Sequence, residues 1–286
     1  MNLKKTKAKR NIDLNSFTTF GIGGRAKYFF LIRNCFELSA LAEETEGQFY
    51  LLGNGSNLLI KDGLITKPVV KLVDQFESIE SRGETLEVGS STLLSFLIKY
   101  CLNNKLSGLE NLAGIPATVG GMLSTAASSF GTSIFDFLEK VEVMEKDTGK
   151  IYEIKKDKID YGYRYSSLYD KLIIKGYFKF VKSKDEMRER IKSVVKKRIA
   201  LQDFSFPSCG SVFKNPYPKA AGALIEQVGL KGKCKGDVKI SDKHANFILN
   251  LGKGTYQQAN YLIQHIKDTV YEKKGIILEE EIQKWN

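Results

Sequence analysis

The chain has 286 residues, 42% of them hydrophobic, and a formal net charge of +11. That length predicts about two domains, and the charge by itself admits nucleic acid, a membrane surface or a small anionic substrate as partner. Much of the charge sits where a solvated tail or helix face is expected: Lys4, Lys5, Lys7, Lys9 and Arg10 at the start, then Lys182 to Arg198 and Lys231 to Lys243. No stripe of alternating arginine and aromatic residues follows, so nucleic acid is not the expected partner. Cys35, Cys101, Cys209 and Cys234 are far apart without C-x-x-C spacing, which argues against a zinc site and a disulfide scaffold and for reduced thiols in a cytoplasmic protein. The basic start lacks an apolar h-region, and no apolar run reaches bilayer length.

In chain order, Tyr28 to Ile32 reads as a strand, Phe36 to Glu46 as a helix with Leu38, Leu41 and Ala42 at helical spacing, and Tyr50 to Leu52 as a second strand before the apolar run Leu58 to Ile60. Short strands are expected at Val69 to Leu72 and Leu86 to Val88. A helix at Thr92 to Cys101 is apolar around most of its circumference and should be well buried. Further strands are expected at Val141 to Glu145, Ile151 to Ile154 and Leu172 to Val181, and an amphipathic connecting helix at Asp185 to Leu201. Beyond it come a helix at Ala220 to Val228 and strands at Val238 to Ile240 and Phe247 to Leu249. A last helix opens on a capping box at Thr255 and Gln258 and stops at Gly275. Ile276 to Leu278 reads as the final strand.

Two loops stand out. Ala113 to Gly121 packs three glycines, a proline and a threonine between apolar segments, and Gly53-Asn54-Gly55-Ser56-Asn57 follows an apolar strand. Glycine lets backbone N–H groups converge, and converging N–H groups bind anions such as a pyrophosphate. Each loop alone also reads as an ordinary tight turn, and neither fits the Rossmann or P-loop fingerprint. The small residues Ser124 to Ser129 suit either close approach to a flat ligand or plain helix packing. Arg164 lies among Tyr161, Tyr163 and Tyr165, either as a surface arginine stacked on aromatics or as a guanidinium held for bidentate recognition of a carboxylate or phosphate. Cys209 stands two residues from Ser211 without a nearby histidine and reads as packing. His244 and His265 read as structural.

Six pieces in order carry a resemblance along nearly the whole chain: Thr18-Thr19-Phe20-x-Ile22-Gly23-Gly24-x-Ala26, Gly53-x-Gly55-Ser56-Asn57-Leu58-Leu59, Ala113-Gly114-Ile115-Pro116-x-Thr118-Val119-Gly120-Gly121, Tyr163-Arg164-x-Ser166, Gly210-Ser211-Val212-Phe213-Lys214-Asn215-Pro216 and Leu278-Glu279-x-Glu281-Ile282. Together they resemble the UDP-N-acetylenolpyruvoylglucosamine reductases, the MurB family. The resemblance implies an α+β chain with an FAD-binding fold of the vanillyl-alcohol oxidase type, made of two α/β subdomains, and a C-terminal α/β substrate-binding domain. On this chain the expected division is 12–182 for FAD (about 12–66 and 67–182), 183–202 for the connecting helix and 203–286 for substrate. The implied activity is a cytoplasmic flavoenzyme of peptidoglycan synthesis. NADPH reduces FAD, and the enolpyruvyl ether of UDP-N-acetylglucosamine is then reduced to the lactyl ether of UDP-N-acetylmuramate.

By the same resemblance the FAD contacts fall on Gly53, Asn54, Gly55, Ser56, Asn57, Leu58, Gly114, Ile115, Pro116, Thr118, Gly120 and Gly121. Ser211 is implied as the acid that protonates the enolate, with Arg164 and Glu281 stabilising the developing charge, which requires Glu281 to be protonated or to act through a donor, so a raised pKa is expected there. Tyr163, Arg164, Lys214 and Asn215 are implied substrate contacts. The stretch between Arg164 and Ser211 is too short for the loop tyrosine of the longer subtype, and Lys231, Lys233 and Lys235 are candidates for its diphosphate contact. Departures from the family pattern occur at Ala117, where glycine is common, at Ala126, where asparagine is common, and at Gln283, where arginine is usual. No metal, nucleic acid, membrane or obligate protein partner is expected. An FAD-linked oxidase of the same fold acting on another substrate is the competing enzyme reading, and it requires no dependence on Ser211.

Overall fold

The computed structural model describes residues 8–183 and 186–286. Lys4, Lys5, Lys7 and Asp185, the expected first residue of the connecting helix, lie outside the described residues. The described residues divide into two compact units, one within 8–10, 28–54 and 67–197, the other of residues 11–27, 55–66 and 198–286.

In the first unit, α1 (Cys35–Thr45) begins where the Asn34 side chain accepts the Glu37 N–H at 2.9 Å, and ends on Glu46 in the left-handed region at φ 50°. Its apolar face, Leu38, Leu41 and Ala42, packs on Phe30, Ile32, Val70 and Leu72. The strand Val69–Leu72 lies between two parallel neighbours, pairing Phe29 to Ile32 on one side and Tyr50–Leu51 on the other. Burial of Phe29, Phe30, Val69 and Val70 on both faces of the two longer strands explains their apolar pairs. A five-stranded antiparallel sheet follows in the order Ile151–Lys155, Leu138–Met144, Leu172–Lys179, Thr85–Gly89 and Ile79–Arg82. Against it pack α2 (Leu94–Asn103) and α3 (Val119–Thr125), whose Leu97, Met122 and Leu123 join Val88, Val141 and Phe178 in one core.

Two expectations change in this unit. α2 is buried along one face only: Phe96 is 61% exposed, because apolar residues around the circumference do not supply a second packing partner. The stretch Ala113 to Gly121 is not irregular to its end, since Thr118 Oγ1 accepts the Gly121 N–H at 3.2 Å and α3 starts at Val119. After α3 the small residues form a hairpin, Ser128–Ser129 against Thr132–Ser133. The connecting helix is α4 (Met187–Leu201), with Met187 and Val194 buried.

In the second unit an antiparallel sheet runs in the order Ser208–Ser211, Phe247–Asn250, Val238–Ile240 and Cys234–Lys235. α5 (Ala221–Gln227) and α6 (Tyr256–Lys274) close its core with Leu224, Ile225, Leu262, Ile263 and Ile266. The capping box at Thr255 and Gln258 forms, and Gly275 ends α6 in the left-handed region at φ 65°, as the sequence requires. The expected strand at Ile276 to Leu278 does not form: Ile277 is 72% exposed, and its backbone meets no strand partner among the described residues. The C-terminal strand is Gln283–Trp285, parallel to the fully buried Leu58–Ile60, with Trp285 itself buried.

Candidate active site

The first unit brings the two glycine loops together. Asn54 Nδ2 donates to the Pro116 carbonyl at 2.8 Å, and a Cβ placed on Gly53 would lie 3.0 Å from Thr118 Oγ1. Lys71 Nζ donates to the Gly53 carbonyl at 3.0 Å. Burial holds this ammonium below the ordinary lysine range, against the opposing charge of Glu77. Gly114 takes φ +85° and is exposed together with Pro116, while Ile115 packs on the core. Gly120 is bare for an internal reason: its N–H donates to the Ser90 carbonyl at 2.7 Å, and a Cβ there would stand 2.9 Å from Ser90 Cβ. The Ser90 hydroxyl beside it is buried and meets no hydrogen-bond partner among the described residues. An orphaned hydroxyl beside loops built from exposed backbone suits a polar flat cofactor, so these residues fit FAD.

Arg164 occupies the turn between Tyr161–Gly162 and Tyr165–Ser166, in the left-handed region at φ 57°. A non-glycine side chain there costs of order 1–2 kcal/mol, and such strain is characteristic of functional positions. Its guanidinium stands 5.4 Å over the exposed Tyr163 ring and donates through Nη1 to the Ser128 carbonyl at 3.4 Å. Tyr161 stacks on Phe135 with ring centroids 4.1 Å apart, which fixes the hairpin to the core.

The second unit holds the other half of the first loop. Gly55, at φ +64°, sits where a Cβ would strike the Phe17 carbonyl at 2.1 Å, and its own carbonyl takes the Thr19 N–H at 3.1 Å. The Asn57 Nδ2 donates to the Glu281 carbonyl at 3.0 Å, and Leu58 opens the buried strand. Ser211 ends its strand opposite Phe247 after a register shift at Gly210, whose φ is +74°. The segment Glu279 to Ile282 runs alongside: Glu281 N–H donates to the Val212 carbonyl at 2.8 Å, and Lys214 N–H to the Glu279 carbonyl at 2.9 Å. Ser211 and Glu281 are thereby brought onto neighbouring backbone.

Cys209 is buried, and burial pushes its thiol up to about 12. Its side chain belongs to the buried core, the packing position the sequence suggests. The implied substrate contacts have local partners. Lys214 Nζ lies 3.2 Å from Glu279 Oε2, and Asn215 Oδ1 accepts the Ala221 N–H at 2.9 Å at the start of α5. Lys231 pairs with Glu226 at 2.7 Å, Lys233 meets His265 Nε2 at 2.8 Å, and Lys235 lies 4.4 Å over the Tyr261 ring.

Of the departures, Ala117 and Ala126 differ in backbone conformation, and nothing in the structure explains Gln283. Ala117 keeps a negative φ, so a Cβ is tolerated, whereas Ala126 caps α3 in the left-handed region at φ 46°, a conformation that asparagine adopts more readily than alanine. Asn246 went unnoticed in the sequence. Its buried amide accepts the Phe213 N–H at 2.9 Å and donates to the Phe213 carbonyl at 2.8 Å. A lone asparagine before an apolar strand gives no sequence signal for that role. Among the described residues no group of histidine, cysteine and carboxylate side chains could hold a metal, and no helix is long and apolar enough to cross a membrane.

Residues 35–155 match the family model described as an FAD binding domain, and residues 202–285 match that of the UDP-N-acetylenolpyruvoylglucosamine reductase C-terminal domain. With the α+β fold and the paired loops, this defines an FAD-dependent oxidoreductase. The UDP-N-acetylenolpyruvoylglucosamine reductase of Aquifex aeolicus (strain VF5) is 35% identical over 96% of this chain and 94% of its own length. That of Thermotoga sp. (strain RQ2) is 38% identical over 95% of this chain and 91% of its own. The crystal structure of UDP-N-acetylenolpyruvylglucosamine reductase from Thermus caldophilus is similar at a TM-score of 0.86, with 34% identity, covering 98% of this chain and 100% of that one. The chain belongs to the UDP-N-acetylenolpyruvoylglucosamine reductase family.

Proposed function

We propose that Ser211, Arg164 and Glu281 carry the chemistry of this chain. As a family member it uses NADPH and FAD to reduce the enolpyruvyl ether of UDP-N-acetylglucosamine to UDP-N-acetylmuramate, a step of peptidoglycan synthesis. FAD, when bound, supplies hydride transfer between NADPH and the substrate double bond. Gly53 to Leu58, Gly114 to Pro116, Thr118, Gly120 and Gly121 would hold it, within a division of 12–182 for the cofactor and 203–286 for the substrate.

The rest falls to side chains. Arg164, already held by Tyr163 and Ser128, binds the substrate carboxylate. A guanidinium fixed before the substrate arrives loses little entropy on binding and stabilises charge that develops on that carboxylate. Glu281 acts in its protonated form or through a donor, since a bare carboxylate would repel an enolate. Ser211 gives its Oγ proton to the carbanionic carbon, completing the second C–H bond, and is reprotonated from solvent. A serine suffices because a strongly basic carbon needs a proton close by more than one of matched pKa. Tyr163, Lys214 and Asn215 contact the substrate, and lysines 231, 233 and 235 are candidates for its diphosphate. We place the protein in the cytoplasm, without nucleic acid, membrane or obligate protein partner.

The observation that carries this reading is the backbone pairing of Glu279 to Ile282 with Val212 to Lys214, which ties the glutamate to the strand that ends on the serine. Its test is Ser211→Ala in rapid mixing: NADPH should bleach the flavin at the unaltered rate, while reoxidation by the enolpyruvyl substrate slows by about 10²-fold or more. Reoxidation at the unaltered rate would remove Ser211 from the role of acid.

A further inference from the structure

We propose that Asn246 is a positioning residue for Ser211, an inference that rests on the reading of Ser211 as the acid. The strand carrying Ser211 is irregular just before it. Ser208 pairs with Leu249 and Ser211 with Phe247, with a register shift between them at Gly210. A bulge bends its strand and re-aims the next side chain, and that aim is only as fixed as the backbone on either side. Upstream, sheet pairing at Ser208 supplies the fixing. Downstream of Ser211 the regular ladder has ended, and Asn246 takes its place.

Asn246 is 3% exposed. Its Oδ1 accepts the Phe213 N–H at 2.9 Å, and its Nδ2 donates to the Phe213 carbonyl at 2.8 Å. Its backbone carbonyl takes the Val212 N–H at 2.9 Å. One residue thus engages both residues that follow Ser211, in the manner of a strand partner. On the other flank the Val212 carbonyl receives the N–H groups of Glu281 at 2.8 Å and Ile282 at 3.2 Å. The serine leaves a backbone clamped on both sides, with the amide as one jaw. A primary amide is suited to this, because it offers an acceptor and a donor side by side, matching the donor and acceptor of one peptide residue.

Proton transfer to carbon is sensitive to placement, and a displacement of about 1 Å costs on the order of 10²-fold in rate. Asn246→Ala is therefore expected to slow flavin reoxidation by saturating enolpyruvyl substrate by about 30- to 100-fold, while reduction by NADPH stays within about two-fold. The decisive measurement is the double variant. If the amide acts by aiming the hydroxyl, Asn246→Ala added to Ser211→Ala changes the residual reoxidation rate by less than about two-fold. Asn246→Asp, which keeps the acceptor for Phe213 N–H and loses the donor, gives the same pattern where the alanine variant does not fold. Equal slowing of both half-reactions, or the same slowing with and without Ser211, would show a merely structural asparagine and overturn the proposal. If Ser211→Ala alone reoxidises at the unaltered rate, the acid assignment has failed and the proposal fails with it, an outcome separate from the other two.

Discussion

Asn57 donates from Nδ2 to the Glu281 carbonyl at 3.0 Å, and the Asn57 carbonyl takes the Gln283 N–H at the same distance. The residue that closes the first glycine loop therefore also fixes the backbone of the glutamate proposed to act on the substrate. Losing one such hydrogen bond is worth about 1 kcal/mol. Asn57→Ala is expected to lower the rate of substrate reduction by about 5-fold, with FAD still bound, as read by flavin absorbance after gel filtration and by rapid mixing. Full activity in a flavin-loaded variant would remove Asn57 from this role.

Arg164 trades stability for function. Arg164→Gly relieves a left-handed backbone and is expected to raise the unfolding free energy by up to about 1 kcal/mol in urea melts. The same change removes a charged contact worth about 2–5 kcal/mol, so kcat/KM for the enolpyruvyl substrate should fall by at least about 30-fold. Arg164→Lys should not restore it, because an ammonium cannot make the bidentate contact. A glycine variant that is less stable and fully active would contradict both halves.

Glu110 supports the entry to the second glycine loop. Burial raises its pKa, but its own N–H, the Gly108 N–H, the Ser107 hydroxyl and the Arg190 charge outweigh that and hold the carboxyl below its usual range. A depressed folded pKa gives stability that is present above the unfolded value of about 4.3 and lost as pH falls through the folded value. Glu110→Gln is expected to cost about 1–3 kcal/mol at pH 7, with the difference from the parent shrinking below about pH 4. A gap that stays constant with pH in paired urea melts would rule this out.

Cys209 gives a control on the site's chemistry. With its thiol pushed up to about 12 by burial, it carries almost no thiolate at neutral pH. Cys209→Ala should keep kcat within about two-fold, and thiol reagents at pH 8 should spare Cys209 in the folded protein. Rapid labelling at that position, located by peptide mapping, would overturn the packing assignment.

What the sequence revealed and what it hid divide along physical lines. α6 was legible from its capping box to its glycine stop because capping chemistry is a local signal. Arg164 was legible as a candidate from its tyrosine neighbours, but its left-handed backbone was not, since nothing in Tyr-Arg-Tyr requires it. The strand Gln283–Trp285 was missed because Ile276 to Leu278 looks more strand-like. Parallel pairing with Leu58–Ile60 depends on a segment more than two hundred residues away. The grouping of residues 11–27 and 55–66 with residues 198–286 is long-range for the same reason. Asn246 was silent because an asparagine that pairs with backbone has no spacing rule.

The account is tested most directly by the visible spectrum of the purified protein under anaerobic conditions. The expected result is a flavin spectrum that NADPH bleaches and that returns when the enolpyruvyl ether of UDP-N-acetylglucosamine is added. A protein that neither carries nor takes up FAD, or one whose bleached flavin is not restored by that substrate, would contradict it.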